Sequence, residues 1–165
     1  MFPLTDPYGL VYGQASRAWC HSGEKPLHPV VHLHLIDRFQ RICLQKRSAE
    51  KEICPLLWDT AVGGHITYGE SVEEALYREA AEELGLTRFH PIPLGTYVWE
   101  SRREKELVVL FAAVGHPRVT AHRPEVAEAM WWTFPEVDAM MGKHLLTPQF
   151  EQELPRIREQ LLALL

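Results

Sequence analysis

The sequence predicts a single α/β domain, residues 1–165, in which a mixed β-sheet is sandwiched between helices. Apolar residues alternate over 30–36 and again over 41–45, which is the pattern of two neighbouring strands. A helix with both ends marked occupies 71–84. Strand and helix patterns continue to the end of the chain, and a length of 165 residues is enough to bury one sizeable core.

The remaining elements follow from short apolar runs bounded by turn formers and from prolines at helix starts. In chain order the sequence predicts a wrapping segment over 1–27 with a short strand near 10–12, a hairpin of strands 30–36 and 41–45, a loop through Pro55 and Trp58, strands over 92–99, 107–114 and 129–133, and helices over 135–141 and 148–164.

The composition is typical of a soluble globular protein, with 46% hydrophobic and 24% charged residues. A net charge of -5 gives no indication of a surface for a nucleic-acid polymer. We expect neither a signal peptide nor a membrane span, because no basic region precedes an apolar run and no such run reaches about 18 residues. Three cysteines without a C-x-x-C spacing suit a reducing cytoplasm, which is the expected location.

The helix over 71–84 has both of its ends set by local chemistry. Ser71 and Glu74 have the spacing of a capping box, and Gly85 stands where a left-handed residue ends a helix. A glycine pair at 63–64 precedes the helix and allows the backbone to approach a ligand closely. The stretch 60–86 is therefore the candidate functional segment.

One face of this helix combines apolar residues with carboxylates. Val72, Leu76, Glu79 and Glu83 follow a spacing of four, three and four residues, with Glu82 one step aside. Unpaired anions beside a packed face lose hydration at a large free-energy cost. Mg²⁺ or Mn²⁺ would neutralise them and still leave coordination positions for phosphate. The alternative is an ordinary solvated helix rich in Glu and Ala.

The same stretch resembles the Nudix box. Gly64 is followed after five residues by Glu70, and after seven more by the run REAAEELGL over 78–86, which fills every fixed position. The resemblance implies a Nudix fold and a hydrolase that cleaves a nucleoside diphosphate linked to another group, by water attack at phosphorus. It also implies a small-molecule diphosphate substrate, a divalent metal and a possible homodimer.

The resemblance also implies roles within the box. Glu70 is expected to support the acidic cluster through Arg78. The expected ligands of Mg²⁺ or Mn²⁺ are Glu79, Glu82, Glu83 and the carbonyl of Gly63.

Residues outside the box are needed for a general base and for contacts to the diphosphate. Relatives place the base differently, and Glu125 is the candidate here, with Glu128 as a rival. Lys46, Arg47 and Lys51 are candidate diphosphate contacts, of which we favour Arg47. The alternative for all of them is an ordinary surface charge.

A second resemblance is to isopentenyl-diphosphate isomerase, a Nudix-fold enzyme, over the segments Leu27-His28, Gln45 to Ser48, Lys51, Pro55, Trp58 and Gly64-His65. It implies a second metal, Zn²⁺ or Mn²⁺, held by three histidines and two glutamates. The corresponding residues are His21, His28, His65, Glu104 and Glu106. The isomerase requires a cysteine where Gly63 stands, which argues against isomerisation. The alternative is that the histidines are structural.

The sequence leaves several roles open. His32 and His34 share one strand face and are expected to be structural or to line a pocket. A non-catalytic binding module on the same fold is a further alternative to an enzyme. Four aromatic residues could stack on a base or pack in the core: Tyr97, Trp99, Trp131 and Trp132.

Overall fold

The computed structural model describes residues 1–165 and contains one mixed seven-stranded sheet with helices on both faces, which confirms the predicted fold class. An N-terminal hairpin forms a separate two-stranded sheet. None of the helices is both long enough and apolar enough to cross a lipid bilayer. In chain order the elements are β1 (Phe2–Thr5), β2 (Val11–Ala15), α1 (Arg17–Cys20), β3 (Leu27–Ile36), β4 (Arg41–Arg47), β5 (Trp58–Thr60), β6 (Val62–His65), α2 (Val72–Leu84), β7 (Ile92–Glu100), β8 (Lys105–Val114), β9 (Val126–Thr133), α3 (Phe134–Met140) and α4 (Pro148–Ala163).

Strand β3 lies at the centre of the sheet and pairs with three other strands. It runs parallel to β8 over its whole length and antiparallel to β6 from Val30 to Leu33. Its antiparallel pairing with β4 is confined to Leu35 and Ile36. Nine of its ten residues are buried, because neighbouring strands and helices cover both of its faces.

Two hydrophobic cores lie on opposite faces of the sheet. Val31 and Leu33 of β3 belong to the core that contains the buried face of α2. Val30 and Ile36 belong to the core that contains the buried faces of α3 and α4. Because successive side chains of a strand alternate between faces, this packing also decides on which side of the sheet the polar residues of β3 lie.

The predicted hairpin is correct only near its turn. Strand β4 pairs with β9 along its whole length, and beyond Cys43 it leaves β3 and pairs with β5 instead. Trp58, predicted in a loop, begins strand β5. The turn between β3 and β4 is a local feature, but the partner of each strand depends on contacts between distant segments, which a local pattern does not specify.

Helix α2 has the ends that the sequence predicted. Ser71 is the N-cap and forms a capping box with Glu74, and Gly85 ends the helix with φ of 62°. Leu76 lies on the buried face. Val72, predicted on the same face, is instead 36% exposed and lines a hollow beside the N-terminal hairpin.

Asp37 closes the turn between β3 and β4 with a buried carboxylate. It accepts hydrogen bonds from the backbone N–H groups of Phe39 and Arg41, both at 3.0 Å, and from Arg41 Nε at 2.8 Å. His116 Nδ1 lies 3.0 Å from its second oxygen. Burial opposes ionisation, but these contacts, led by Arg41, outweigh it and lower the pKa of Asp37.

Replacing Asp37 with alanine is expected to lower the free energy of unfolding by about 2–3 kcal/mol, because two backbone N–H groups and one guanidinium lose their acceptor. Urea denaturation measures the change. Arg38→Ala, at an exposed neighbouring position, is the control. Equal stability of the two variants would show that the carboxylate does not hold the turn.

Candidate active site

A cleft of about 730 Å³ is lined by residues of β3, β4, β6, α2, β8 and α4 together with the N-terminal segment. Most of the lining side chains are polar or charged. Because the Nudix-type segment and the histidine cluster open into the same cleft, both can contact one ligand. The cleft brings together His21, Arg47, Lys51, Gly63, His65, Arg78, Glu79, Glu82, Glu104, Glu106 and Glu125 from the residues that the sequence singled out.

The close approach of Gly64 to Glu79 fixes the loop against the helix. A Cβ added at Gly64 would lie 2.0 Å from Cδ of Glu79 and 2.4 Å from each carboxylate oxygen. Such distances are far below van der Waals contact, so any larger residue would displace the carboxylate. The observed position of the Glu79 carboxylate is therefore compatible only with glycine at position 64.

Arg78 holds three carboxylates and one carbonyl group. Its Nε and Nη2 donate to the two oxygens of Glu70, at 2.7 and 2.9 Å, and Nη2 also donates to the carbonyl of His65 at 2.9 Å. Its Nη1 donates to Glu79 at 2.7 Å and to Glu82 at 3.2 Å. Arg78 thus makes the expected contact with Glu70 and orients two carboxylates that border the cleft.

Glu83 is buried behind the box loop and has no cation in contact. It is 3% exposed, and its Oε2 accepts hydrogen bonds from Gln45 Nε2 at 2.7 Å and from the N–H of Gly63 at 3.1 Å. Burial, together with the charge of Glu79, raises the pKa of Glu83 to about 8. Sequence reasoning missed Gln45; the signal was a polar residue directly after the apolar run of β4.

The box carboxylates suit a divalent cation, although they do not converge on one point. Glu79 and Glu82 turn towards Arg78, whereas Glu83 turns towards the N–H of Gly63, for which the resemblance implied a carbonyl ligand. Burial also raises the pKa of Glu79 despite its contact with Arg78. Carboxylate oxygens are the donors that Mg²⁺ and Mn²⁺ bind, and Glu83 has no cation in contact, so the residue types fit such an ion.

Two of the predicted diphosphate contacts border the cleft. Arg47 donates from Nε to the carbonyl of Ile53 at 3.0 Å, and its Nη1 lies 3.6 Å from Asp59. Lys51 Nζ donates to Glu125 Oε2 at 2.9 Å. The candidate base and one candidate cation are thus direct neighbours at the edge of the cleft.

Lys46 and Glu128 lie outside the cleft. They face each other across β4 and β9, with Lys46 Nζ 3.9 Å from Glu128 Oε2 and 5.9 Å from the ring centroid of Trp58. This departs from the expectation that Lys46 contacts the diphosphate and that Glu128 rivals Glu125. The reason is strand alternation, which turns Lys46 away from the side occupied by Gln45 and Arg47.

The histidines and one glutamate of the predicted second site form a compact cluster. The ligand atoms of His21, His28, His65 and Glu104 all lie within 4.8 Å of one another. His21 Nε2 is 2.8 Å from Glu104 Oε2 and 3.2 Å from His65 Nε2. The fifth predicted residue, Glu106, lies beside the cluster, with Oε1 3.8 Å from His65 Nε2.

The cluster has the properties of an imidazole and carboxylate metal site. His28 Nδ1 is 2.9 Å from the carbonyl of Pro26, while its buried Nε2 has no hydrogen-bond partner. Burial lowers the pKa of His28 and of His65, which favours the neutral imidazole that binds metals. Phe2 stacks on His65 with ring centroids 4.4 Å apart. A Zn²⁺ or Mn²⁺ ion would satisfy the orphaned nitrogen.

A buried network around Glu153 was not found by sequence reasoning. Glu153 of α4 has no exposed surface, and its carboxylate lies 2.8 Å from His32 Nδ1 and 2.6 Å from His34 Nε2. His32 lines the cleft, whereas His34 is fully buried. Burial disfavours a charged imidazole, but Glu153 outweighs it and raises the pKa of His32 to about 9. The available signal was an acidic residue on the apolar stripe of α4.

Only one of the four candidate aromatic residues lines the cleft, and that residue is Trp99. The hydroxyl of Tyr97 donates to Glu153 from beneath the cleft. Trp131 stacks on His116 with ring centroids 4.2 Å apart. Trp132 packs edge-on against Trp58. The aromatic residues of these strands are therefore mainly structural.

Comparison with solved structures supports the same architecture. The chain is similar to DR0079 from Deinococcus radiodurans, with a TM-score of 0.78 and 21% identity, over 94% of this chain and 97% of that one. It is also similar to a MutT protein from Methanosarcina mazei Go1, with a TM-score of 0.70 and 24% identity, over 83% and 96% of the two chains. At these identities the likeness concerns the fold.

Comparison of sequences gives the family. Residues 26–153 match the NUDIX domain model. The chain is 32% identical to an isopentenyl-diphosphate Delta-isomerase from Brevibacterium linens over 143 residues, which are 83% of this chain and 79% of that protein. It is 29% identical to the uncharacterized Nudix hydrolase YfcD of Escherichia coli over 112 residues, which are 68% of this chain and 62% of that protein. The chain therefore belongs to the Nudix family, and within it resembles the isopentenyl-diphosphate isomerase branch.

Proposed function

We propose that this protein is a divalent-metal-dependent hydrolase that cleaves the diphosphate linkage of a nucleoside diphosphate joined to another group. The observation that carries the proposal is the pair formed by Glu79, which lines the cleft, and Glu83, which is buried behind the box loop, both with raised pKa values. Membership of the Nudix family supports a hydrolase. Of the two, Glu83 has no cation in contact, and a buried acid of this kind is costly for folding unless a cation binds it.

The box residues have distinct tasks in this proposal. Glu79, Glu82 and Glu83 hold the ion, and Arg78 orients the first two through Nη1. Gln45 orients Glu83 by its hydrogen bond at 2.7 Å. These fixed partners keep the carboxylates in place before substrate arrives, so little reorganisation is needed during the reaction.

The diphosphate would lie between the box and the cations at the edge of the cleft. Arg47 and Lys51 neutralise its oxygens. Bound Mg²⁺ or Mn²⁺ would lower the pKa of a coordinated water and stabilise the charge on phosphorus. The water oxygen bonds to phosphorus, the bridging P–O bond breaks, and Glu125 accepts the proton that water loses.

Isomerisation of an allylic diphosphate is the second candidate. It is favoured by the similarity to isomerases and by the histidine cluster in the same cleft. It is disfavoured by Gly63, which has no side chain to move a proton. A Cβ at Gly63 would lie 3.3 Å from His32 Cδ2, a tight contact that would require the ring of His32 to shift by a few tenths of an ångström.

The histidine cluster is proposed as a second metal site within the same cleft. His21, His28, His65 and Glu104 would hold Zn²⁺ or Mn²⁺, with Glu106 beside them. A merely structural cluster would leave the buried Nε2 of His28 without a partner, at a cost that the ion removes.

Glu82→Gln and Glu83→Gln are each expected to reduce kcat/KM by about 100-fold or more, because each removes a charged ligand of the catalytic ion. Phosphate release from a panel of nucleoside diphosphate derivatives, with Mg²⁺ or with chelator, measures the loss. Glu73→Gln, on the exposed first turn of the same helix, is the matched control. Parent-like turnover in Glu82→Gln would contradict the assignment of the box as the active site.

Gly64→Ala is expected to reduce kcat/KM by about tenfold or more while the protein remains folded, because the added methyl group must displace the Glu79 carboxylate. The same phosphate-release assay and circular dichroism measure the two properties. Gly13→Ala is the control, since its Cβ would meet only Leu4 at 3.9 Å. An unchanged kcat/KM would mean that the position of Glu79 does not matter for turnover.

His28→Ala is expected to remove one equivalent of bound Zn²⁺ or Mn²⁺, because the cluster loses its unpartnered nitrogen. Equilibrium dialysis followed by metal analysis gives the stoichiometry, and the rise in Tm on metal addition gives a second measure. His90→Ala, at an exposed position, should bind as the parent does. If His28→Ala retains every equivalent, the cluster is not a metal site.

A further inference from the structure

His32 presents a fixed hydrogen-bonding group to the cleft beside the box. It pairs across the sheet with Gly63 and lines the cleft, while its Nδ1 is 2.8 Å from the carboxylate of Glu153. A Cβ at Gly63 would lie 3.4 Å from its Nε2. The N–H of the same glycine donates to Glu83. Gly63 therefore lies between the imidazole of His32 and the carboxylate of Glu83.

The orientation of His32 is determined from beneath the cleft. Glu153 is fully buried and does not line the cleft; besides His32 it contacts His34 Nε2 at 2.6 Å and the hydroxyl of Tyr97. These contacts fix the carboxylate, which in turn fixes the ring. Nε2 is left for a ligand at a defined position, so little conformational entropy is lost on binding.

Polar groups make up part of the lining on this side of the cleft, beside apolar ones such as Val30. Asp59, Thr60, Glu106 and Gln149 belong to the lining, and Gln149 Nε2 donates to Glu106 Oε2 at 2.9 Å. A hydrocarbon placed here would remove water from these groups without replacing its hydrogen bonds, which is unfavourable. A hydroxyl group both donates and accepts, so it can pair with a carboxylate and with an imidazole in either protonation state.

We propose that His32, positioned by Glu153, binds a hydroxyl group on the part of the substrate beyond the diphosphate. The substrates would then be diphosphates that carry a hydroxylated group such as a sugar, and not those that carry a hydrocarbon chain. This inference rests on the proposed function, since it assumes that the diphosphate lies at the box. In this scheme His32 contacts substrate and Glu153 is a positioning residue.

The first test compares hydroxylated and hydrocarbon diphosphates. The parent protein with Mg²⁺ or Mn²⁺ is expected to hydrolyse ADP-ribose or UDP-glucose and to leave isopentenyl diphosphate intact, without hydrolysis or isomerisation. His32→Leu, which keeps the size of the side chain and removes both nitrogens, should raise KM for the sugar diphosphates about tenfold to a hundredfold. Its kcat should change little, because the contact lies away from the reacting phosphorus.

Matched variants separate recognition from a structural effect. His32→Gln restores a hydrogen-bonding group and should recover part of the lost KM, while Glu153→Gln should raise KM because the ring loses its fixed partner. His34→Gln is the control, since it contacts the same carboxylate but is buried away from the cleft. It should lower Tm and raise KM much less than His32→Leu does, because glutamine can still donate a hydrogen bond to Glu153. A rise in KM for His34→Gln equal to that for His32→Leu would overturn the role of His32.

Binding without turnover distinguishes failure of this inference from failure of the proposed function. Calorimetry measures the affinity for ADP-ribose or UDP-glucose of two variants, Glu82→Gln and the double variant that also carries His32→Leu. Neither is expected to hydrolyse the ligand during the measurement. Weaker binding in the double variant supports His32 even if no substrate is cleaved by the parent. Equal affinity of the single and the double variant would overturn the inference, as would activity of the parent protein on isopentenyl diphosphate. Neither result decides whether the box hydrolyses diphosphates, which the turnover of Glu82→Gln tests separately.

Discussion

The register of strand β3 against β6 and β8 is the constraint on which the site depends. Pairing with β8 places His28 opposite Glu106, and pairing with β6 places His32 opposite Gly63. A slip of one residue would turn every side chain of β3 to the other face of the sheet and bury its histidines in the wrong core. The apolar residues that alternate with the histidines, such as Val31 and Leu33, prevent this slip because they must face α2.

The cleft gathers acidic side chains whose negative charge is unfavourable for folding but suits the binding of a cation. Carboxylates are gathered where they can meet cations, and each is held by a partner that fixes it without neutralising it fully. Arg78 alone contacts Glu70, Glu79 and Glu82, while Glu83 is held only by neutral donors, a side-chain amide and a backbone N–H. Burial without a counter-charge raises the pKa of the Glu83 carboxyl, and groups perturbed in this way are candidates for ligand binding.

The fold alone does not choose between the two reactions that its relatives suggest. The same Nudix scaffold is similar to proteins named as hydrolases and to proteins named as isomerases. The difference has to come from particular side chains. Here the box is complete, Gly63 has no side chain, and a side chain at this position would have to move the ring of His32 by a few tenths of an ångström. These local features, and not the topology, are the basis for favouring hydrolysis.

The sequence by itself determined the features that depend on near neighbours in the chain. The limits of α2 follow from Ser71, Glu74 and Gly85, and the acidic stripe follows from helical periodicity. The family followed from fixed spacings within one segment. The gathering of His21, His28 and His65 was expected only through a resemblance, because no local rule joins residues so far apart.

Only the tertiary structure decided which strand pairs with which and what lies behind each candidate residue. It separated β4 from most of β3, turned Lys46 out of the cleft, and brought Gln45 to Glu83 and Glu153 to His32. Each of these outcomes depends on strand register or on helix packing across the sheet. Such contacts join segments that are distant in the chain, and the free energy that selects them comes from burying both cores at once, which no single stretch of sequence encodes.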